Sequence, residues 1–171
     1  MDLVAVSPQD ETLLLDLLNT TPVADGVQLD DLGDRGDARS WLREHGAGDD
    51  ELVDLVAARN VLQAVVRGTG SPTALDGLLN GVALRPRVTP HGVSWKLDTG
   101  GVAPSAVRAV LAWDALRIAS PGRLRACANA ECRLFLIDRS KPNSARWCSM
   151  AICGNRMKAR RHYLRTKAER D

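Results

Sequence analysis

Phenylalanine and tyrosine are almost absent from this chain: its 171 residues hold one of each, Phe135 and Tyr163, beside four tryptophans. Proteins that grip single-stranded nucleic acid stack bases on aromatic rings, so that mode of recognition has little to work with here. No stretch approaches the roughly 18 apolar residues of a membrane span, and residues 1–8 have neither the basic region nor the apolar run of a leader peptide. Both absences lead us to expect a cytoplasmic protein with no membrane partner. A glycine-rich phosphate loop, a catalytic-triad order and a His/carboxylate metal motif are all missing, so the expectation is a non-enzyme. Lysine is scarce, 4 against 19 arginines. A GC-rich genome alone produces that ratio, so the location of charge says more than the choice of cation.

Cysteine is missing from the first 126 residues. All four lie in the last third, as Cys127-x4-Cys132-x15-Cys148-x4-Cys153. Two close pairs across a medium loop is the spacing of a four-thiolate zinc site, and clustered thiols in a reducing compartment favour a metal over cross-links. Four thiolates leave no position for water, so one such Zn²⁺ is structural. The same sulfurs could hold an iron–sulfur cluster, although the spacing matches neither ferredoxin pattern, or could stand free of metal. A segment of about fifty residues buries little core, and structural zinc contributes about 10–16 kcal/mol in small fingers.

The net charge of +2 hides a division. Residues 1–120 carry 10 Lys+Arg against 17 Asp+Glu, and residues 121–171 carry 13 against 4. An acidic body with a basic tail is expected where one segment meets a polyanion.

Apolar periodicity gives the body its elements. Leu13, Leu14, Leu17 and Leu18 mark a helix over 10–18. Residues 21–36 read as an extended connection, and Asp37 is the expected cap of a short helix carrying Trp41 and Leu42 and closed by His45-Gly46. A helix over 51–67 follows, stopped by Gly68-Thr69-Gly70, and Pro72 opens a short one. The period then changes to two: Val82, Leu84 and Val88, then Val93, Trp95 and Leu97, flank Thr89-Pro90-His91-Gly92, which makes a β-hairpin. Pro104 leads a helix ending near Ser120. Trp41, Trp95 and Trp113 are expected in the core. Pro121-Gly122 is the expected hinge between a body over 1–120 and a cysteine module over 121–171.

In that module 123–127 reads as a strand, 127–132 as a metal-binding turn, 134–137 as the returning strand and 149–167 as a helix with Ser149 at its cap. The fold class is thus α+β: a mainly helical body with one β-hairpin, then a treble-clef-like zinc finger. On the last helix Cys153, Met157 and Leu164 share a sector expected to face the metal. Arg156, Arg160 and Lys167 form one outward row, Lys158, Arg161 and Arg165 another. With Arg146 they are the candidate nucleic-acid contacts. In the body only Asp16, Asn19 and Thr20, spaced i, i+3, i+4, form a polar cluster that suggests a ligand site; the stronger reading is that Asn19-Thr20 end the helix with Asp16 exposed.

Arg125-x-Cys127-x4-Cys132 with Phe135, Asp138 and Ser140, then Arg146-Trp147-Cys148-Ser149-Met150 and Cys153-Gly154-Asn155-Arg156-x-Lys158-Ala159-x-Arg161, resembles the CGNR zinc finger. Leu15-Asp16-Leu17-Leu18-Asn19-Thr20 and Trp41-Leu42 resemble motifs of the ABATE domain that accompanies it, with Leu17 and Leu18 in place of a more aromatic pair. The resemblance implies zinc and stress-induced transcription regulation. The residues and the resemblance together favour a regulator binding double-stranded DNA, with a homodimer expected if its site is palindromic. RNA binding is one alternative; a ligand-binding or enzymatic body with a structural zinc tail is another.

Overall fold

The computed structural model describes residues 6–168; the first residues of the N-terminal stretch read above for a leader lie outside them. Helix α1 (Pro8–Leu18) begins at a capping box: the Asp10 amide donates to Ser7 Oγ at 3.2 Å and the Ser7 amide donates to Asp10 Oδ2 at 2.9 Å. Pro8 at the first position costs nothing there, because its missing N–H would have no helical partner. The leucines at 13, 14, 17 and 18 form the buried face.

The connection after α1 is more structured than an extended link. Strands β1 (Val23–Ala24) and β2 (Val27–Gln28) pair antiparallel through Asp25-Gly26, both at positive φ. Asp-Gly between two valines is a hairpin signature that the acidic, glycine-rich composition of 21–36 concealed. Helix α2 (Arg35–Glu44) is capped by Asp34, whose carboxylate accepts from the Gly36 amide at 2.7 Å, and not by Asp37, which lies in its first turn.

Helix α3 (Leu52–Val66) follows a 3-10 turn, and α4 (Asp76–Leu79) a second one opened by Pro72. The main hairpin is β3 (Ala83–Thr89) with β4 (Gly92–Asp98), in the register Leu84↔Leu97, Pro86↔Trp95, Val88↔Val93. It stands away from the core, and Trp95 is 49% exposed instead of buried. Trp41 and Trp113 do pack against the core from its margin.

Helix α5 (Pro104–Ala119) completes the body. Its buried face is rich in alanine (Ala106, Ala109, Ala112), which lets the leucines of α1 approach closely; α3 closes the layer. Two buried polar side chains of α3 tie the connection down. Arg59 holds Asp30 and Thr20, and Gln63 donates to the Leu18 carbonyl and Thr21 Oγ1, both at 2.8 Å.

Gly122 turns the chain at φ 72° into β5 (Leu124–Ala126) and β6 (Phe135–Ile137), antiparallel with Arg125↔Leu136. A π-turn over Met150–Gly154 leads into α6 (Asn155–Ala168). The helical stretch thus begins at Met150 with Ser149 in the expected cap position, its first turn wound as π and not α; the Ser149 side chain makes no cap bond. Phe135 belongs to the same buried cluster as Leu14, Leu17 and Leu18, so the cysteine module shares the core of the body. Among the described residues no helix is long and apolar enough to cross a membrane.

Candidate metal centre and nucleic-acid interface

The strand ends β5 and β6 set the first pair of sulfurs. The Cys127 amide donates to the Leu134 carbonyl at 2.8 Å, closing a loop across the strand ends. Inside it Asn129, 1% exposed, does the folding: its side-chain oxygen accepts from the Glu131 amide and its carbonyl from the Cys132 amide. That turn absorbs the four residues between Cys127 and Cys132. The second pair is set by the π-turn, where the Gly154 amide donates to the Ser149 carbonyl at 3.0 Å. The wider ring, an arrangement found mostly at functional sites, brings Cys148 and Cys153 to a sulfur separation of 3.7 Å.

Cys132 and Cys148 are also 3.7 Å apart, and all four sulfurs lie within 4.8 Å of one another. Thiolates about 2.3 Å from a shared tetrahedral ion sit about 3.8 Å apart, far beyond the roughly 2.05 Å of a disulfide. The donor set and its spacing fit one structural Zn²⁺. Three N–H groups point at the sulfurs: the backbone amides of Leu134 at Cys132 and of Cys148 at Cys127, each at 3.5 Å, and the Asn129 side-chain Nδ2 at Cys153 at 3.6 Å. Such donors orient the ligands and offset the surplus negative charge of four thiolates around a dication. Burial pushes the Cys132 and Cys148 thiols up, so their ionisation draws on the charge of the metal.

A second support was not legible as such in the sequence. Asp138, fully buried, accepts from the amides of Ser140 (2.8 Å) and Ala145 (2.7 Å) and from the Arg125 guanidinium (3.0 Å). Arg125 also bonds Asn143, which sits at φ 51°. These contacts shape the 138–146 loop that delivers Cys148. Asp138-x-Ser140 is an Asx-turn signal, but spacing alone does not show that the carboxylate is buried.

Gly154 is buried, and a Cβ there would stand 2.7 Å from Met150 Sδ and 3.3 Å from Trp147 Cδ1. The close approach is by side chains and not by backbone. Asn155 turns its amide to the Ala151 carbonyl at 3.3 Å.

Beyond the metal α6 leaves the finger. Cys153 is buried and Met157 half-buried, but Leu164 is 56% exposed and does not reach the metal knot. Arg156, Lys158, Arg160, Arg161, Arg165 and Lys167 are all exposed, as is Arg146, whose guanidinium lies 5.3 Å from the Trp147 ring centre. Arg160 meets Glu131 at 3.3 Å. Fourteen residues make a cationic rod about 21 Å long.

A family model of the CGNR zinc finger matches residues 123–166. A second, for the ABATE domain, described as "Putative stress-induced transcription regulator", matches residues 11–122, about two thirds of the chain. The chain belongs to the ABATE family. No curated protein matches it. The ABATE segment is thus followed directly by the CGNR finger, whose four cysteines hold the single structural zinc.

The three polar residues of the ABATE opening motif diverge. Asp16 meets His45 Nε2 at 3.0 Å at the wall of an open cleft of about 530 Å³, which Glu44 and Arg108 also line. Thr20 is buried and accepts from Arg59. Asn19 points to the finger, bonding both backbone groups of Phe135. They do not line one site; only Asp16 reaches the cleft.

Proposed function

We propose that this protein is a stress-responsive transcription regulator that binds double-stranded DNA through α6. The supporting observation is a helix fixed at one end by a zinc ligand, Cys153, and carrying six exposed cations among its fourteen residues. Arg156 and Lys158 lie in its first half, away from the C-terminal end where the helix dipole favours positive charge, so the cluster needs an external anion more than a C-terminal one does. B-DNA presents phosphates at that density and a major groove about 12 Å wide that admits a helix. In this reading residues 121–171 form the DNA-binding module, residues 1–120 the sensing or dimerising body, and the protein acts in the cytoplasm. The cleft beside Asp16 is the natural place for a small-molecule effector.

The test is fluorescence anisotropy with zinc-loaded protein and a labelled duplex across a salt series. Contacts to about six phosphates lower affinity roughly a thousandfold between 50 and 200 mM salt. A loss above tenfold supports the reading; absent or salt-insensitive binding overturns it. Competition with duplex RNA decides between the two polyanions, since neither reading has aromatic base-stacking to call on.

A further inference from the structure

The four sulfurs of the metal centre are alike in chemistry and unlike in surroundings. Cys127 and Cys153 are buried, 7% and 3% exposed, while Cys132 and Cys148 are only half-buried. The N–H donors divide them further. One points at each of Cys127, Cys132 and Cys153, and among the described residues none points at Cys148, whose own backbone amide serves Cys127. A thiolate that accepts an N–H bond is stabilised as the anion and loses nucleophilic strength with its basicity. Cys148 is therefore the one sulfur that solvent reaches and that no donor damps.

Its two neighbours at 3.7 Å are Cys132 and Cys153. Cys153 is buried, accepts from Asn129, and is seated in the π-turn whose ring the Gly154 amide closes on Ser149. Cys132 closes the first turn and opens on the same solvent as Cys148. Of the two, Cys132 is the sulfur free to follow a reaction at Cys148.

We propose that Cys148 is an oxidative modification site whose metal-bound thiolate attacks a hydroperoxide, with Cys132 resolving the product into a disulfide. In the first step an S–O bond forms at Cys148 and the peroxide O–O bond breaks. The departing alkoxide or hydroxide takes a proton from water, and Cys148 is left as a sulfenic acid. The Cys132 thiolate then attacks that sulfur: the S–S bond forms, the S–O bond breaks and hydroxide leaves. The two sulfurs have given up two electrons and the peroxide has accepted them. Only Cys127 and Cys153 then remain as thiolates, half of the set a structural zinc needs. Cys153 lies in the π-turn that leads into α6, so the modification acts at the root of the basic helix. The assignment rests on the metal centre alone and stands whatever α6 binds.

The order of reactivity is tested on the unmodified sequence. The zinc-loaded full chain is treated with substoichiometric N-ethylmaleimide, and the first adduct is located by peptide fragmentation. It should fall on Cys148, at least fivefold ahead of any other cysteine. With hydrogen peroxide and no thiol reductant, a Cys132–Cys148 disulfide should form while a chromophoric chelator reports zinc release in step. Dithiothreitol with added zinc should reverse both. Cys148→His, which keeps a metal-binding side chain, should slow the release more than tenfold at unchanged zinc content. Cys132→His should instead leave a sulfenic acid on Cys148 that dimedone traps. Adducts spread evenly over the four cysteines, or first on another one, overturn the proposal. So does zinc held throughout peroxide treatment, or a disulfide that joins Cys148 to Cys153.

Discussion

Asn19 grips Phe135 by both of its backbone groups. The Phe135 amide donates to Asn19 Oδ1 at 2.7 Å, and the Asn19 side-chain amide donates to the Phe135 carbonyl at 3.4 Å. The Phe135 ring, 1% exposed, lies among the leucines of α1 with the Arg67 guanidinium 4.2 Å from its centre. Arg67 also donates to the Arg133 carbonyl, and Arg139 pairs with Glu11 at 2.7 Å. A strand that begins three residues after a zinc ligand is thus part of the core of the body.

Asn19→Ala leaves the Phe135 N–H and C=O without their partner, and a half-buried unsatisfied group costs about 1–3 kcal/mol. Urea unfolding should show that loss. Asn19→Asp keeps the acceptor but turns carboxylate oxygen toward the Phe135 carbonyl, so it should not restore wild-type stability. Asp16→Ala, three residues earlier, breaks only a pair in which the carboxylate is 46% exposed, and should cost under about 1 kcal/mol. Equal effects of Asn19→Ala and Asp16→Ala would contradict this division of labour.

Removing zinc should be felt beyond the finger. With Phe135 held in the core of α1 and three residues from Cys132, chelation loosens a piece of the body as well as its own loop. The near-UV dichroism of Trp113, packed against that core, should change on chelation, and the thermal midpoint of the whole chain should fall. Two separate transitions, with the tryptophan signal of the body untouched by chelator, would show that the contact does not couple them.

The helices of the body were readable from their leucine spacing, and the zinc site from four cysteines, because both patterns are local. What stayed hidden was decided between distant segments. Asn19 and Thr20 read as one helix end or one polar face, yet Asn19 answers to Phe135, 116 residues away, and Thr20 to Arg59. Trp95 alternates correctly for a strand, but alternation does not say whether the apolar face has anything to pack on, and here it does not. Leu164 has the right period for the metal-facing sector of α6, but the helix outruns the finger before reaching it. Asn129 and Asp138 carry turn signals whose burial only the folded chain reveals.

Gly154→Ala places a methyl against Met150 Sδ and the Trp147 ring edge. Met150 is 53% exposed and its thioether can swing aside, whereas the Trp147 contact at 3.3 Å gives only slightly. The expected cost is about 1 kcal/mol, in the range of mild overpacking. Met150→Ala in the same chain should recover most of it, and failure to recover would place the strain on Trp147. Zinc affinity, read by competition with a chromophoric chelator, should follow the same order.

Acid should open the loop that delivers Cys148. Hydrogen bonds from Ser140, opposed by burial and aided by the Ala145 amide and Arg125, hold Asp138 below the usual carboxylate range. A group whose folded pKa is depressed contributes stability above its unfolded value near 3.8, and that contribution is lost as pH falls through the folded value. Asp10, where burial is outweighed by Ser7 and Arg108, and Asp30, where burial is outweighed by Arg59, shift in the same direction. Stability should therefore drop steeply below about pH 4. Asp138→Asn should destabilise the chain at neutral pH and flatten that drop; an unchanged acid limb would remove Asp138 from this role.

The pair of Arg160 and Glu131 gives the DNA proposal a test with an unusual sign. Both side chains are about 60% exposed at 3.3 Å, so the pair contributes little stability. To reach a phosphate, Arg160 must leave Glu131, and Glu131 adds a negative charge beside an otherwise cationic surface. Glu131→Gln should therefore raise affinity for duplex DNA by up to about fivefold at low salt, an advantage that fades as salt screens it. Arg156→Ala and Lys158→Ala should instead lower affinity and reduce the slope of log affinity against log salt by about one each if they touch phosphate. A gain from Glu131→Gln with losses from the cations points to α6 lying on the duplex. A loss from Glu131→Gln would mean that Glu131 orients Arg160 for binding, and indifference of all three would move the interface off this helix.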